Sequence, residues 1–293
     1  MIRLSLGRKL FLIGNTILLT GLSIVCLLPL INILAISFSS AGPAIANMVK
    51  FWPVEFTFSS YKFIMHKQQF LTAMVVTLKR FSLGTIISLT LTLFSAYALS
   101  KEENAFRGRT IYAWVFMLTI LFNGGLIPWY MAVNQTGLLD QIWALVIPNA
   151  VQVFNVILLL NFFRGLPKEL EEAAFMDGAG HLTTLIRVFV PVSAPALATV
   201  ALFTIVYHWN SWFDGLLLMN SPAHYPLQSY LQTVTTVRDL TLVSSQSLED
   251  LKDVSDRTSK AAQLFLGALP ILCAYPFLQR YFMKGIVMGS VKE

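Results

Sequence analysis

A chain of 293 residues with 56% hydrophobic and only 12% charged side chains departs from soluble domains, in which about 25% of residues are charged. A water-soluble fold of this length cannot hide that much apolar surface, so a bilayer must take it. The net charge of +6 does not indicate nucleic acid as a partner, because the basic residues fall between apolar runs and form no continuous stripe.

Arg3, Arg8 and Lys9 precede an apolar run from Leu10 to Phe38. It is longer than the roughly 7–15 residues of a signal-peptide core, and no A-x-A-like site follows, so it is read as an uncleaved first span. A spanning helix needs about 20 mainly apolar residues. Six segments qualify: 11–38, 72–99, 110–132, 141–163, 193–213 and 262–283. The predicted fold class is therefore all-α integral membrane, a single transmembrane domain over 1–293. Lys79 and Arg80 sit inside the second span and must snorkel to headgroups or face other helices. Cys26 and Cys273 lie in separate apolar segments without metal-ligand spacing and read as packing residues.

Six spans put both termini on one side. With the amino terminus inside, the density of Lys and Arg is higher in the inner segments, so both termini are expected to be cytoplasmic. The first outer loop, 39–71, carries Phe51, Trp52, Pro53 and Tyr61, suited to an interfacial or partner contact. The third, 214–261, holds Asp239, Glu249, Asp250, Asp253 and Asp256. Its Leu248, Leu251 and Val254 form one face of a short surface helix, or else the stretch is a solvated loop.

The inner loop 164–192 is the most informative segment. Pro167 suits a first helical position, and Glu169, Glu171 and Glu172 suit a helix amino terminus. Ala173 and Ala174 are strong helix formers; Asp177 to Gly180 breaks the helix, with Gly178 available for a left-handed stop. A second helix is expected over 181–190, ending as Pro191 leads into the fifth span. The segment reads as a helical hairpin with small residues at its bend.

Glu172-Ala173-Ala174, then Asp177-Gly178-Ala179, then Arg187 and Pro191 resemble the EAA motif of ABC importer permeases, down to a glycine six residues after the glutamate. The resemblance implies a type I permease architecture in the bacterial cytoplasmic (inner) membrane. It also implies a coupling helix, formed here by Glu171, Glu172, Ala173, Ala174, Met176, Asp177, Gly178, Ala179, Gly180 and Arg187, that docks on an ATP-hydrolysing subunit. Phe122-Asn-Gly-Gly-Leu-Ile-Pro128, Trp209-Asn-Ser-Trp-Phe-Asp-Gly215, the stretch from Tyr275 to Gly285 and the tail Gly289 to Glu293 narrow the likeness. They look like the carbohydrate-type branch, similar to the smaller maltose-importer permease and to permeases for oligosaccharides or polysaccharide fragments, alginate-like ones included. The partners implied are a second homologous permease, two ATP-binding subunits that hold ATP and Mg, and an extracytoplasmic solute-binding protein.

The chain has no phosphate-binding Gly-x-x-x-x-Gly-Lys-Ser/Thr loop, no His-Glu-x-x-His and no Gly-x-Ser-x-Gly. No cofactor, metal or catalytic role is therefore expected of it. His208 and Asp214 invite a general-base reading, but at their spacing a pore or interface role is commoner. Sugars offer hydroxyl edges and C–H faces, so amides and aromatic rings are expected to line the path: Asn123, Gln152, Asn155, Tyr207, His208, Trp209, Asn210 and Trp212. Interhelical packing is the competing role for each. The same importer class carrying peptide or another solute is an alternative, and a stand-alone channel or secondary carrier is a second; the latter leaves Glu172 to Gly180 unexplained.

Overall fold

The computed structural model describes residues 6–236 and 254–290, apart from the side chains of 275 and 277–290. The expected surface helix at Leu248 and Leu251, the acidic Asp239, Glu249, Asp250 and Asp253, the basic Arg3 and the tail at 291–293 lie outside the described residues. Within them the regular structure is helical, with an isolated antiparallel bridge between Ser39 and Phe56. The chain divides into two compact units, Met1–Phe70 with Thr233–Leu269 and Leu71–Gln232 with Pro270–Glu293.

The first unit is built on α1 (Leu6–Ser37), α2 (Ala41–Ile45) and α3 (Ser59–His66). Only the last turn of α1 is buried, at Ala35, Ile36 and Ser37. Leu28 and Asn32 to Leu34 are half-buried and the rest of this apolar helix is exposed, as a helix is when its solvent is lipid or a neighbouring helix. Backbone polarity near its end is satisfied locally. Asn32 donates to the Lys50 carbonyl at 2.5 Å, Val54 N–H donates to Ser39 Oγ at 3.0 Å, and Ser37 and Tyr61 hydroxyls meet at 2.7 Å. Arg257 ties the chain back by donating to Ala44 O at 2.8 Å and Asn47 Oδ1 at 2.5 Å. Phe38 stacks on Phe56 and meets Phe58 edge-on and Tyr61 at a tilt, with ring centres 4.8–5.5 Å apart, whereas Trp52 is exposed.

The second unit is organised by α4 (Gln68–Ser100), here from Leu71 on. It is followed by α5 (Arg109–Leu121), α6 (Leu126–Gln135), α7 (Ile142–Val146), α8 (Val153–Arg164), α9 (Glu169–Met176) and α10 (His181–Thr184). A π-turn over Leu185–Phe189 leads into α11 (Val190–Val192) and α12 (Ala194–Asn210). α13 (Phe213–Leu218) and α14 (Leu227–Thr236) complete the order before α15 (Asp256–Ser290). Among the described residues, α1 and α4 are long and apolar enough to cross a membrane, and His181–Val192 with Ala194–Asn210 makes a third candidate, bent by 88° at Ser193.

Two segments expected as continuous spans are interrupted. In 110–132 the helix stops at Leu121, and Asn123 Oδ1 accepts from Gly125 N–H at 2.9 Å in a turn that restarts the chain as α6. In 141–163 the helix stops at Val146, two residues before Pro148, which has no N–H for a helical bond. Hydropathy averages over such breaks, because the residues around them are apolar in either conformation.

The core of this unit gathers Ala96, Tyr97 and Leu99 of α4, Val156, Leu159 and Phe163 of α8, Leu185 and Phe189 of the π-turn, and Val200 of α12. α4 also runs very close to α12: a Cβ built on Gly84 would lie 2.5–2.7 Å from the His208 ring. That ring is buried and held by Ser88 at 3.2 Å, so it has nowhere to retreat. Gly84→Ala is expected to lower stability by about 1–3 kcal/mol through overpacking, despite alanine's better helix propensity. A thermal unfolding midpoint in detergent equal to or above that of the parent would refute it.

Candidate functional site

Local chemistry explains the bend that follows α8. Leu170 N–H reaches the Pro167 carbonyl at 3.3 Å, and three acidic residues occupy the first turn of α9, where the helix dipole favours them. The helix ends at Met176. Gly178 sits at φ +80°, its N–H bonded to Phe175 O at 3.0 Å, and Ala179 N–H reaches back to Ala174 O at 2.9 Å. This pair of bonds is a Schellman stop, which needs the left-handed residue that glycine supplies most cheaply. Gly180 then accepts from Thr184 N–H at 2.9 Å and starts α10.

α9 presents two different sides. Ala174 is buried and Glu171 half-buried, one turn apart, whereas Glu172, Ala173, Met176, Asp177, Gly178 and Gly180 are exposed and Ala179 is half-buried. Arg187 is exposed on the π-turn.

The inward side is fixed to the end of α4 by groups the sequence did not single out. Lys101 is buried, its Nζ 2.5 Å from Glu171 Oε1, 3.7 Å from the Tyr97 ring centre and 4.6 Å from that of Phe189. Burial pushes this ammonium below its ordinary pKa, and the bond and charge of Glu171 pull it back. One carboxylate and two aromatic faces replace its water. A second pair, Lys168 with Glu102, is exposed; each partner favours the other's charged form, holding Glu102 below and Lys168 above the usual range. Exposed pairs add little stability. Tyr97 OH lies 3.4 Å from His181 Nδ1, and Phe175 meets the His181 ring edge-on at 5.1 Å.

The expected path residues fall into two groups. Asn155 is buried, donating to Gln152 Oε1 at 2.6 Å and Thr204 Oγ1 at 3.2 Å, so it joins α8 to α12. His208 and Trp209 are also buried, packed on α4 at Gly84 and Phe81. Asn123, Asn210 and Trp212 are exposed, while Gln152 and Tyr207 are half-buried. The Gln152 amide nitrogen has no hydrogen-bond partner among the described residues.

Beside this group lies a buried ion pair. Arg80, fully buried in α4, bonds Asp214 at the start of α13 with both terminal nitrogens, one at 3.1 Å from Oδ1. Ser211 Oγ at 2.8 Å and Gly215 N–H at 2.9 Å also donate to Asp214 Oδ1, and Arg80 Nη1 reaches Ser211 O at 3.2 Å. Of the two cations expected in this span, Arg80 therefore faces another helix and Lys79 is exposed. Asp214 is not a base for His208: it is held by Arg80, and the histidine by Ser88.

Residues 81–287 match the family model described as binding-protein-dependent transport system inner membrane component. The chain is 37% identical over 284 residues to Protein LplC of Bacillus subtilis (strain 168), covering 97% of this chain and 95% of that one. It is 33% identical over 276 residues to the polygalacturonan/rhamnogalacturonan transport system permease protein YtcP of the same organism, covering 92% and 94%. Among solved structures it resembles a chain of a bacterial ABC transporter involved in the import of the acidic polysaccharide alginate, with a TM-score of 0.88, 31% identity and coverage of 96% of this chain and 100% of that chain. A helical membrane chain matched over nearly its whole length by such relatives belongs to the family of binding-protein-dependent transport system inner membrane components, the permeases of ABC importers.

Proposed function

We propose that this chain is one of two related permeases in an importer for acidic polysaccharide fragments, six times across the inner membrane with both termini in the cytoplasm. Two ATP-binding subunits, holding ATP and Mg, supply the energy, and an external solute-binding protein delivers the cargo. The observation that carries the coupling role is the bend at Glu171 to Gly180. One side is fixed to α4 through Lys101, while Glu172, Ala173, Met176 and Gly178 stand exposed on the other. A small, exposed, rigidly backed helix suits insertion between the side chains of a partner. Because Ser193 joins it to α12 through the π-turn, displacement of the bend is transmitted to the spanning helices. Such displacement shifts the transport equilibrium only if ATP and cargo each bind the inward- and outward-facing states unequally.

The cargo class follows from the relatives named for polygalacturonan, rhamnogalacturonan and alginate, polymers that carry uronate carboxylates. Gln152, Asn155 and Asn210 offer amides at adjoining ends of α8 and α12. Simultaneous alanine replacement of the three is expected to lower uptake of labelled oligogalacturonate by about a hundredfold, as three lost hydrogen bonds of roughly 1 kcal/mol each would. Unchanged uptake would remove these residues from the path.

The assembly is tested by purifying the tagged chain from its native membrane and identifying its partners by mass spectrometry. Recovery of a second permease and two copies of an ATPase is expected. Recovery of this chain alone, still active in uptake after reconstitution, would overturn the proposal.

A further inference from the structure

Between the start of α5, the end of α8 and α9 lies a cleft of about 560 Å³. Four cations and three carboxylates line it, and they are not evenly matched. Glu171 is taken by Lys101 and Glu102 by Lys168, while Glu172, on α9, lies in the field of Lys168. Arg109, whose charge also helps to lower Glu102, and Arg164 form no close ion pair among the described residues. Arg109, the first residue of α5, donates to Lys101 O at 2.8 Å; Arg164, the last of α8, donates to Leu99 O at 3.1 Å. These bonds anchor both guanidiniums at the negative, carbonyl-bearing end of α4. A guanidinium has five N–H donors, so most donors of each remain for another acceptor. The two are also near enough to oppose one another: burial, and then the charge of Arg109, hold Arg164 below the ordinary arginine range. An anion between them would relieve both.

The surroundings specify what kind of anion. From Arg109 the chain enters an apolar helix whose first turns expose Ile111, Tyr112, Trp114 and Val115. Exposed apolar residues on a spanning helix meet acyl chains, so the two guanidiniums open where anionic headgroups are at hand. We propose that Arg109 and Arg164 hold the phosphate of an anionic phospholipid of the cytoplasmic leaflet, with its acyl chains along the exposed side of α5. This rests on the orientation given above, which places the 100–109 and 164–192 loops at that leaflet. Basic pockets beside spanning helices on this side are known to favour anionic headgroups.

The test is native mass spectrometry of the intact importer, purified into nanodiscs of phosphatidylcholine with or without phosphatidylglycerol. The wild type is expected to retain phosphatidylglycerol, and Arg109→Gln/Arg164→Gln to lose about thirtyfold in retention, near the effect of two surface cations. Arg109→Lys/Arg164→Lys keeps the charge and should retain most of it, which separates lost binding from misfolding. Arg107→Gln, an exposed arginine outside the cleft, should behave as wild type. Equal retention by the double glutamine variant, or equal loss in Arg107→Gln, would overturn the site. Capture of inorganic phosphate with no preference for phosphatidylglycerol would overturn the lipid assignment. The same spectra report subunit composition, so absence of ATPase subunits would count against the transport proposal separately from the lipid result.

Discussion

Asp214→Ala is expected to destabilise the protein by about 3–5 kcal/mol, the usual cost of leaving one partner of a buried ion pair alone. Arg80 is fully buried in α4, and Asp214 satisfies both of its terminal nitrogens. Without the carboxylate, the guanidinium keeps one backbone carbonyl, Ser211 O, while Ser211 Oγ and Gly215 N–H lose their acceptor. Neutralising both partners has a different sign pattern. Arg80→Met with Asp214→Leu removes the charge as well as its counterion, so the double variant should recover most of the loss. Thermal unfolding of the purified importer in detergent checks both statements. An Asp214→Ala variant that melts with the parent would show that the pair contributes nothing, and a double variant as weak as the single would point to packing instead of charge.

Gly178→Asp is expected to abolish transport, by at least about a hundredfold, while leaving insertion and folding intact. A Cβ at this position meets nothing within 4 Å, and aspartate is among the few residues that enter the left-handed region readily. The structural cost is therefore backbone strain at φ +80°, about 1–3 kcal/mol, without a steric clash. The functional cost is the burial of an unpaired carboxylate at a contact proposed to close around small residues, worth several kcal/mol, and each 1.4 kcal/mol is a factor of ten. Gly178→Asn shares the backbone tolerance without the charge and should fall between the two. Uptake in proteoliposomes, with ATPase activity measured in parallel, gives the answer; normal uptake by Gly178→Asp would end the coupling assignment.

How far the sequence discloses such features depends on whether their causes are local. The acidic first turn and Gly178 lie close in sequence and produce α9 and its Schellman stop much as their chemistry dictates, whereas Pro167, expected at a first helical position, precedes the Lys168 cap and gives the first turn only its carbonyl. The apolar segments likewise become helices. Their breaks at Asn123 to Gly125 and before Pro148 were hidden because apolarity, the signal used, does not change there. The residues that fix the site were the least visible. Lys101 looks like one more cation at the end of a span, and its significance arises from Glu171, seventy positions away, and from the faces of Tyr97 and Phe189. Arg80 and Asp214 are 134 positions apart. Each is an anomalous charge in an apolar stretch, and pairing the two anomalies would have found the bridge. His208 and Trp209 were expected beside the path for their chemistry, yet side-chain type does not report which way a helix faces, and both are buried in packing.

The 88° bend at Ser193 has a mechanical consequence. His181–Val192 runs nearly at right angles to α12, so the two form a bell crank with its fulcrum at Ser193. At 1.5 Å per residue the crosswise arm is about 18 Å long. A shift of about 2 Å at its far end, beside Gly180, then tilts a rigid crank by roughly 6°. α12 extends about 25 Å from the fulcrum on the same rise, so its far end sweeps about 2.8 Å sideways on the same geometry. A modest stroke beside Gly180 thus reappears, slightly enlarged and turned through a right angle, at the Asn210 end of α12.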